Sequence, residues 1–142
     1  MALYLVDTCI WRDFYENRLS KSYNPIGVYA TRFFMKVLEY KDRIIFSEGL
    51  FRELNAGYSK EEVDDMLNLF ILCNILKRIE ITTSESLEAE RLSKERDIPF
   101  TDCLNAVQAR DHDALLITRD THYFIGLKDI VRAYRPEDII SY

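Results

Sequence analysis

Apolar runs too short to be helices recur along this chain, and an acidic residue stands shortly after each of four of them. Leu3-Tyr4-Leu5-Val6 leads into Asp7, Arg43-Ile44-Ile45-Phe46 into Glu53, Ile98-Pro99-Phe100 into Asp102, and Ala114-Leu115-Leu116-Ile117 into Asp120. Helical patterns fill the intervals. Strands that alternate with helices predict an α/β sandwich with a mainly parallel sheet. In such a sheet the carboxyl ends of the strands open on one crevice where ligands bind. Acids far apart in sequence thereby come within reach of a common site.

Residues 26–40 carry Ala30, Phe33, Phe34, Val37 and Leu38 at the spacing of a helix face. Residues 15–24 are polar and aromatic, lack a sustained apolar face, end at Pro25 and read as a mobile loop. A helix that includes Glu53 stops near Gly57, since glycine's tolerance of positive φ ends helices. Ser59 with Glu62, and Thr82 with Glu85, have the spacing of capping boxes. The first opens a helix whose stripe is Val63, Met66, Leu67, Phe70 and Cys73; the second opens one through Leu87 and Leu92 that ends before Pro99. Further strands are expected at residues 78–81, 115–118 and 131–134, with a small-residue helix after Asp102 and a proline-started turn at Pro136.

With 142 residues, 48% of them apolar, the chain reads as one domain, residues 1–142, with a sizeable core. No apolar run approaches a membrane span, and Arg12 and Asp13 interrupt the apolar start, which predicts a soluble, cytoplasmic protein with no membrane contact. Cys9, Cys73 and Cys103 form no C-x-x-C pair, which argues against a zinc ribbon and leaves three free thiols, Cys73 in the core. The net charge of −5 is not the basic footprint of a nonspecific nucleic-acid binder. Contact with nucleic acid must therefore be local, and a cation must neutralise an acidic cluster before it receives phosphate.

Magnesium and manganese take oxygen ligands, bind through a few carboxylates and retain waters suited to phosphate chemistry. Such ions lower the pKa of bound water, and a pair of them stabilises both the attacking and the leaving oxygen of a phosphodiester displacement. Each acid also has a local reading. Asp7 and Asp120 suit turns, Glu53 a solvated helix face, and Asp102 an N-cap. Their repeated position after strands favours the joint site.

The same residues resemble the PIN domain family, most closely its VapC-like ribonuclease toxins. The resemblance rests on Leu5-Val6-Asp7-Thr8, on Glu53-Leu54 with Gly57, and on Asp102 opening the helix of Asn105-Ala106-Val107-Gln108-Ala109. It continues through Leu116-Ile117-Thr118-Arg119-Asp120 with Phe124 to the ending Tyr134-Arg135-Pro136-Glu137-Asp138. The resemblance implies a three-layer α/β/α sandwich with a mainly parallel central sheet and a magnesium-dependent endoribonuclease, manganese substituting. It also implies an RNA substrate, a homodimer and an antitoxin protein partner. Asp7, Glu53, Asp102 and Asp120 match the family's catalytic and metal-ligand positions, and Thr8 and Thr118 match polar positions beside them.

Cys9 departs from the Ser or Asn common in the family. Glu48 stands nearer the strand end than Glu53, but Glu53 fits the motif better. Arg12, Arg110 and Arg119 offer a local positive field, and His122 is placed to contact phosphate or order Asp120; solvated arginines and a locally hydrogen-bonded imidazole are the plain alternatives. Competing functions are an RNA-processing PIN nuclease, a structure-specific DNA nuclease and a noncatalytic PIN-like binding module.

Overall fold

The central strand of the protein is its first. In the computed structural model, which describes residues 1–140, β1 (Leu3–Val6) lies between β2 (Arg43–Ser47) and β4 (Leu115–Ile117). β3 (Leu76–Ile79) pairs outside β2 and β5 (Ala133–Tyr134) outside β4, which gives a five-stranded, wholly parallel sheet of order β3-β2-β1-β4-β5. Leu5 stands opposite Ile45 on one side and Leu116 on the other. Tyr4, Leu5 and Val6 are all buried, as a strand covered on both faces requires.

The connections fix the layers. α1 (Thr8–Glu16) and α2 (Ile26–Tyr40) join β1 to β2, and α3 (Glu48–Gly57) and α4 (Lys60–Leu72) join β2 to β3. These steps run one way across the sheet, so right-handed crossovers place their helices on one face. α5 (Thr83–Arg96) and α6 (Phe100–Asp111) then carry the chain back from β3 to β4 and cover the other face. Aromatic packing matches this arrangement: the Trp11 ring of α1 lies 4.5 Å from Phe34 of α2, 6.0 Å from Phe46 of β2 and 5.4 Å from Phe70 of α4. A last short helix, α7 (Pro136–Ile140), returns to α2, where Lys36 Nζ donates to the Ile139 carbonyl at 2.7 Å. The fold is the expected three-layer α/β/α sandwich.

Several local expectations need correction. Tyr15 and Glu16 do not begin a loop but end α1, whose buried residues are Thr8, Ile10, Trp11 and Asp13. A buried aspartate in a nine-residue helix breaks the apolar period that would have revealed it. The loop that follows packs against α2. Gly27 N donates to Arg18 O at 2.9 Å, and a Cβ at Gly27 would stand 2.5 Å from the Asn17 backbone, so only glycine permits this approach.

Both capping boxes form, but α4 reaches its end at Cys73, which is exposed rather than in the core. Leu87 is likewise exposed, and α5 buries Glu85, Ala89 and Leu92 instead. β3 begins two residues earlier than expected because the chain turns at left-handed Asn74 and buries Ile75 at once. β5 is shorter than residues 131–134. No glycine has positive φ, Gly57 included; left-handed Asn17, Lys41 and Asp97 follow α1, α2 and α5. Among the described residues no helix is long and apolar enough to cross a membrane.

Candidate active site

The sheet reverses its direction of growth between β1 and β4, so the helices that follow these neighbours leave to opposite faces. The carboxyl ends of β1 and β4 flank the crevice that this topology opens. Asp7 stands at the end of β1 and extends its ladder, Asp7 N donating to Ile117 O at 2.9 Å. Its Oδ1 then accepts from Thr8 N at 2.8 Å and caps α1. Thr118, at the end of β4 and wholly buried, donates from Oγ1 to Asp7 Oδ2 at 2.8 Å and accepts from Asp120 N at 3.0 Å. One hydroxyl therefore holds both the Asp7 carboxylate and the Asp120 backbone.

The other two acids arrive on helices. α3, N-capped by Ser47, brings Glu53 to Thr8, whose Oγ1 donates to Glu53 Oε2 at 3.0 Å. Asp102 lies in the first turn of α6, which starts at Phe100 after Pro99, so Asp102 is not the N-cap. Tyr123 OH donates to Asp102 Oδ1 at 3.3 Å and itself accepts from Asn105 Nδ2 at 3.1 Å. Tyr123 belongs to a π-helical turn, His122–Gly126, that follows β4. His122 Nδ1 lies 2.7 Å from Asp102 Oδ2, and His122 N donates to Asp120 Oδ1 at 2.9 Å.

Asp7, Glu53, Asp102 and Asp120 thus line one cleft of about 330 Å³, together with Thr8, Cys9, Arg12 and Arg119. Glu48 does not line it; its carboxylate pairs with Arg78 at 2.8 Å. Arg110 is also elsewhere, held bidentately by Glu88 at 2.6 Å. Arg119 lies on the wall but is spent on Glu137, at 2.9 and 2.7 Å, and on Asp13 at 3.5 Å. Thr8, Thr118 and His122 each touch a cleft acid: Glu53, Asp7 and Asp102 respectively. Tyr123 and Asn105 were missed: the trace they left in the sequence is a polar Asn on the buried face of α6, one turn after Asp102.

The electrostatics are those of carboxylates packed together. Burial pushes the Asp7 carboxyl up to about 6, opposed by its bonds from Thr118 and Thr8 and reinforced by the charges of Glu53 and Asp102. Glu53 and Asp102 are likewise raised, first by burial; Thr8 and then Arg12 pull Glu53 back, and His122 pulls Asp102 back. The His122 imidazole is raised above its ordinary value chiefly by its bond to Asp102. Cys9 Sγ sits 3.7 Å from Asp7 Oδ2, and burial with that neighbour raises the thiol so far that it stays protonated.

A hard divalent cation suits this donor set of carboxylate oxygens and one imidazole, whose mutual repulsion Arg12 offsets only in part, at Glu53. Ligand atoms of Asp102, Asp120 and His122 lie within 4.8 Å of one another, a tighter set than the four acids together. His122 therefore joins two of the acids in a group that could hold a metal ion.

Residues 4–128 match the family model of the PIN domain. The chain belongs to the PIN domain family. No curated protein matches its sequence. Solved structures share the PIN fold at low identity. A chain of a toxin-antitoxin complex from Klebsiella pneumoniae is 19% identical with a TM-score of 0.64, over 96% of this chain and 98% of that one. A chain of VapBC-1 from nontypeable Haemophilus influenzae is 17% identical with a TM-score of 0.67, over 95% and 98%. A chain of FitAcB from Neisseria gonorrhoeae is 20% identical with a TM-score of 0.61, over 94% and 98%.

Proposed function

We propose that this PIN domain is a magnesium- or manganese-dependent endoribonuclease, the toxin of a toxin–antitoxin pair that works as a homodimer and is restrained by an antitoxin protein. The observation that carries the nuclease reading is the meeting of Asp7, Glu53, Asp102 and Asp120 in one cleft. The toxin reading draws on structural neighbours that are themselves parts of toxin-antitoxin assemblies.

Asp7, Asp102 and Asp120 would hold the cation, with Glu53 and His122 beside them. Bound there, a divalent ion supplies Lewis acidity, offsets the carboxylate charge for an incoming phosphodiester and makes water more acidic. The chain's own residues do the positioning. Thr118 keeps Asp7 and the Asp120 backbone in register, Tyr123 and His122 grip the two oxygens of Asp102, and Thr8 holds Glu53 by Oε2. Glu53, half-buried with its carboxyl raised, is suited to take a proton from the attacking water.

Asp7→Asn and Asp120→Asn should each reduce magnesium-dependent cleavage of single-stranded RNA by at least a hundredfold while circular dichroism stays unchanged. Full activity in both variants rejects the assignment. DNA substrates assayed in parallel decide between a ribonuclease and a DNA nuclease.

A further inference from the structure

A second cavity, of about 380 Å³, shares Arg12 with the acidic cleft and is otherwise lined by Glu16, Arg18, Gly57 and Tyr58. Here two cations meet one anion, the reverse of the balance next door. Arg12 is half-buried, makes no hydrogen bond or ion pair among the described residues, and acts on Glu53 and Tyr58 only through its charge. Arg18 approaches Asp13 only to 4.0 Å and leaves 47% of its side chain exposed, although its backbone is pinned by Asp13 O and Gly27 N. Glu16, the one acid, is held by the Tyr58 hydroxyl.

A third cavity adjoins the cleft through Arg119, whose own charge is already answered. Arg119 is bound to Glu137 and Asp13, and Arg135 lies 4.4 Å above the Phe124 ring. Guanidinium groups recognise phosphate by paired N–H donors, and Arg119 already has one such pair bound to the two oxygens of Glu137. The two flanks of the cleft are therefore unequal.

We infer that Arg12 and Arg18 form a second phosphate subsite, which seats the RNA phosphate adjoining the one cleaved and holds the strand on this flank of the cleft. The inference rests on the nuclease reading and adds a direction to it: the strand is gripped beyond α1 and α3, and lies loosely past Arg119. Glu16 moderates the grip by its charge.

The test is binding of a labelled single-stranded RNA oligonucleotide to the Asp120→Asn protein in magnesium, followed by fluorescence anisotropy at several salt concentrations. Arg12→Gln and Arg18→Gln should each weaken binding several-fold. Together they should flatten the plot of log K against log salt by about 1.4, because each phosphate contact on a single strand contributes about 0.7. Arg12→Lys should keep most of the slope, and Glu16→Gln should tighten binding, a gain that no merely structural role produces. Arg132→Gln, an exposed arginine before β5, is the reference for loss of one positive charge. Losses at Arg12 and Arg18 no larger than at Arg132, or no gain at Glu16, overturn the subsite. If the unmutated protein cleaves RNA while these variants match Arg132→Gln, the subsite fails alone; if it neither cleaves nor binds RNA, the nuclease reading fails and the subsite goes with it.

Discussion

Thr118 shows how much one side chain settles. Its hydroxyl is the donor to Asp7 and the acceptor for the Asp120 amide, so it joins the two strand-borne acids across the β1–β4 crevice. Valine fills the same volume without either bond. Thr118→Val should lower stability by about 1–3 kcal/mol, the cost of leaving buried polar groups unpaired. It should reduce RNA cleavage by a larger factor than that loss predicts at a temperature where the variant is folded. Melting and initial-rate measurements on one preparation check this, and cleavage at the native rate sinks the role. The sequence marked this residue only through its place beside Asp120. Tyr123 and Asn105, which steady Asp102, left almost no trace, because a phenol buried 21 residues away from its partner is indistinguishable in sequence from a core aromatic.

At the scale of elements, legibility followed the length of the pattern. α2 and α4, with sustained apolar stripes, and α5, opened by a capping box, are readable because their cues repeat or are chemically specific. α1 was not, since its buried face holds Asp13 in answer to Arg119, a contact between residues far apart in the chain. Helix ends failed for another reason: with four glycines in the chain, the left-handed positions fell to other residues. Lys41, which follows α2 with φ 55°, is the least suited of these, for it has neither glycine's freedom nor the local bonding of Asn and Asp. Its side chain is exposed and its amide bonds to Leu38 O and Val37 O, which glycine preserves. Lys41→Gly should therefore stabilise the protein by about 1 kcal/mol, visible as a rise of a few degrees in Tm, with RNA cleavage unchanged. A lower Tm would show that the lysine is not strained.

At the scale of the molecule, alternating elements implied the parallel sheet, and the sheet's reversal at β1 and β4 implied where the acids meet. What a single sequence does not contain is the energetic consequence of that meeting. Asp7 is only 8% exposed, and its carboxyl lies near 6 in the folded protein against 3.8 as a free group. Between those values the folded state holds a proton that the unfolded chain has released, so stability falls as pH rises through the window. The full difference amounts to about 3 kcal/mol for Asp7 in the metal-free protein. His122, also raised, acts in the same sense: its contribution is present at low pH and lost as pH passes its folded value. A divalent cation reverses the balance, because it binds the ionised carboxylates and competes with their protons. Manganese should therefore raise Tm more at pH 7.5 than at pH 5. Asp7→Asn should melt higher than the unmodified chain when both are metal-free at pH 7.5, yet gain less from manganese. Thermal melts at the two pH values, with and without metal, check all of this at once. Equal manganese shifts at both pH values, or a metal-free Asp7→Asn protein that melts lower, would mean that the acids are not held together under mutual strain and that the cleft is not built for a cation.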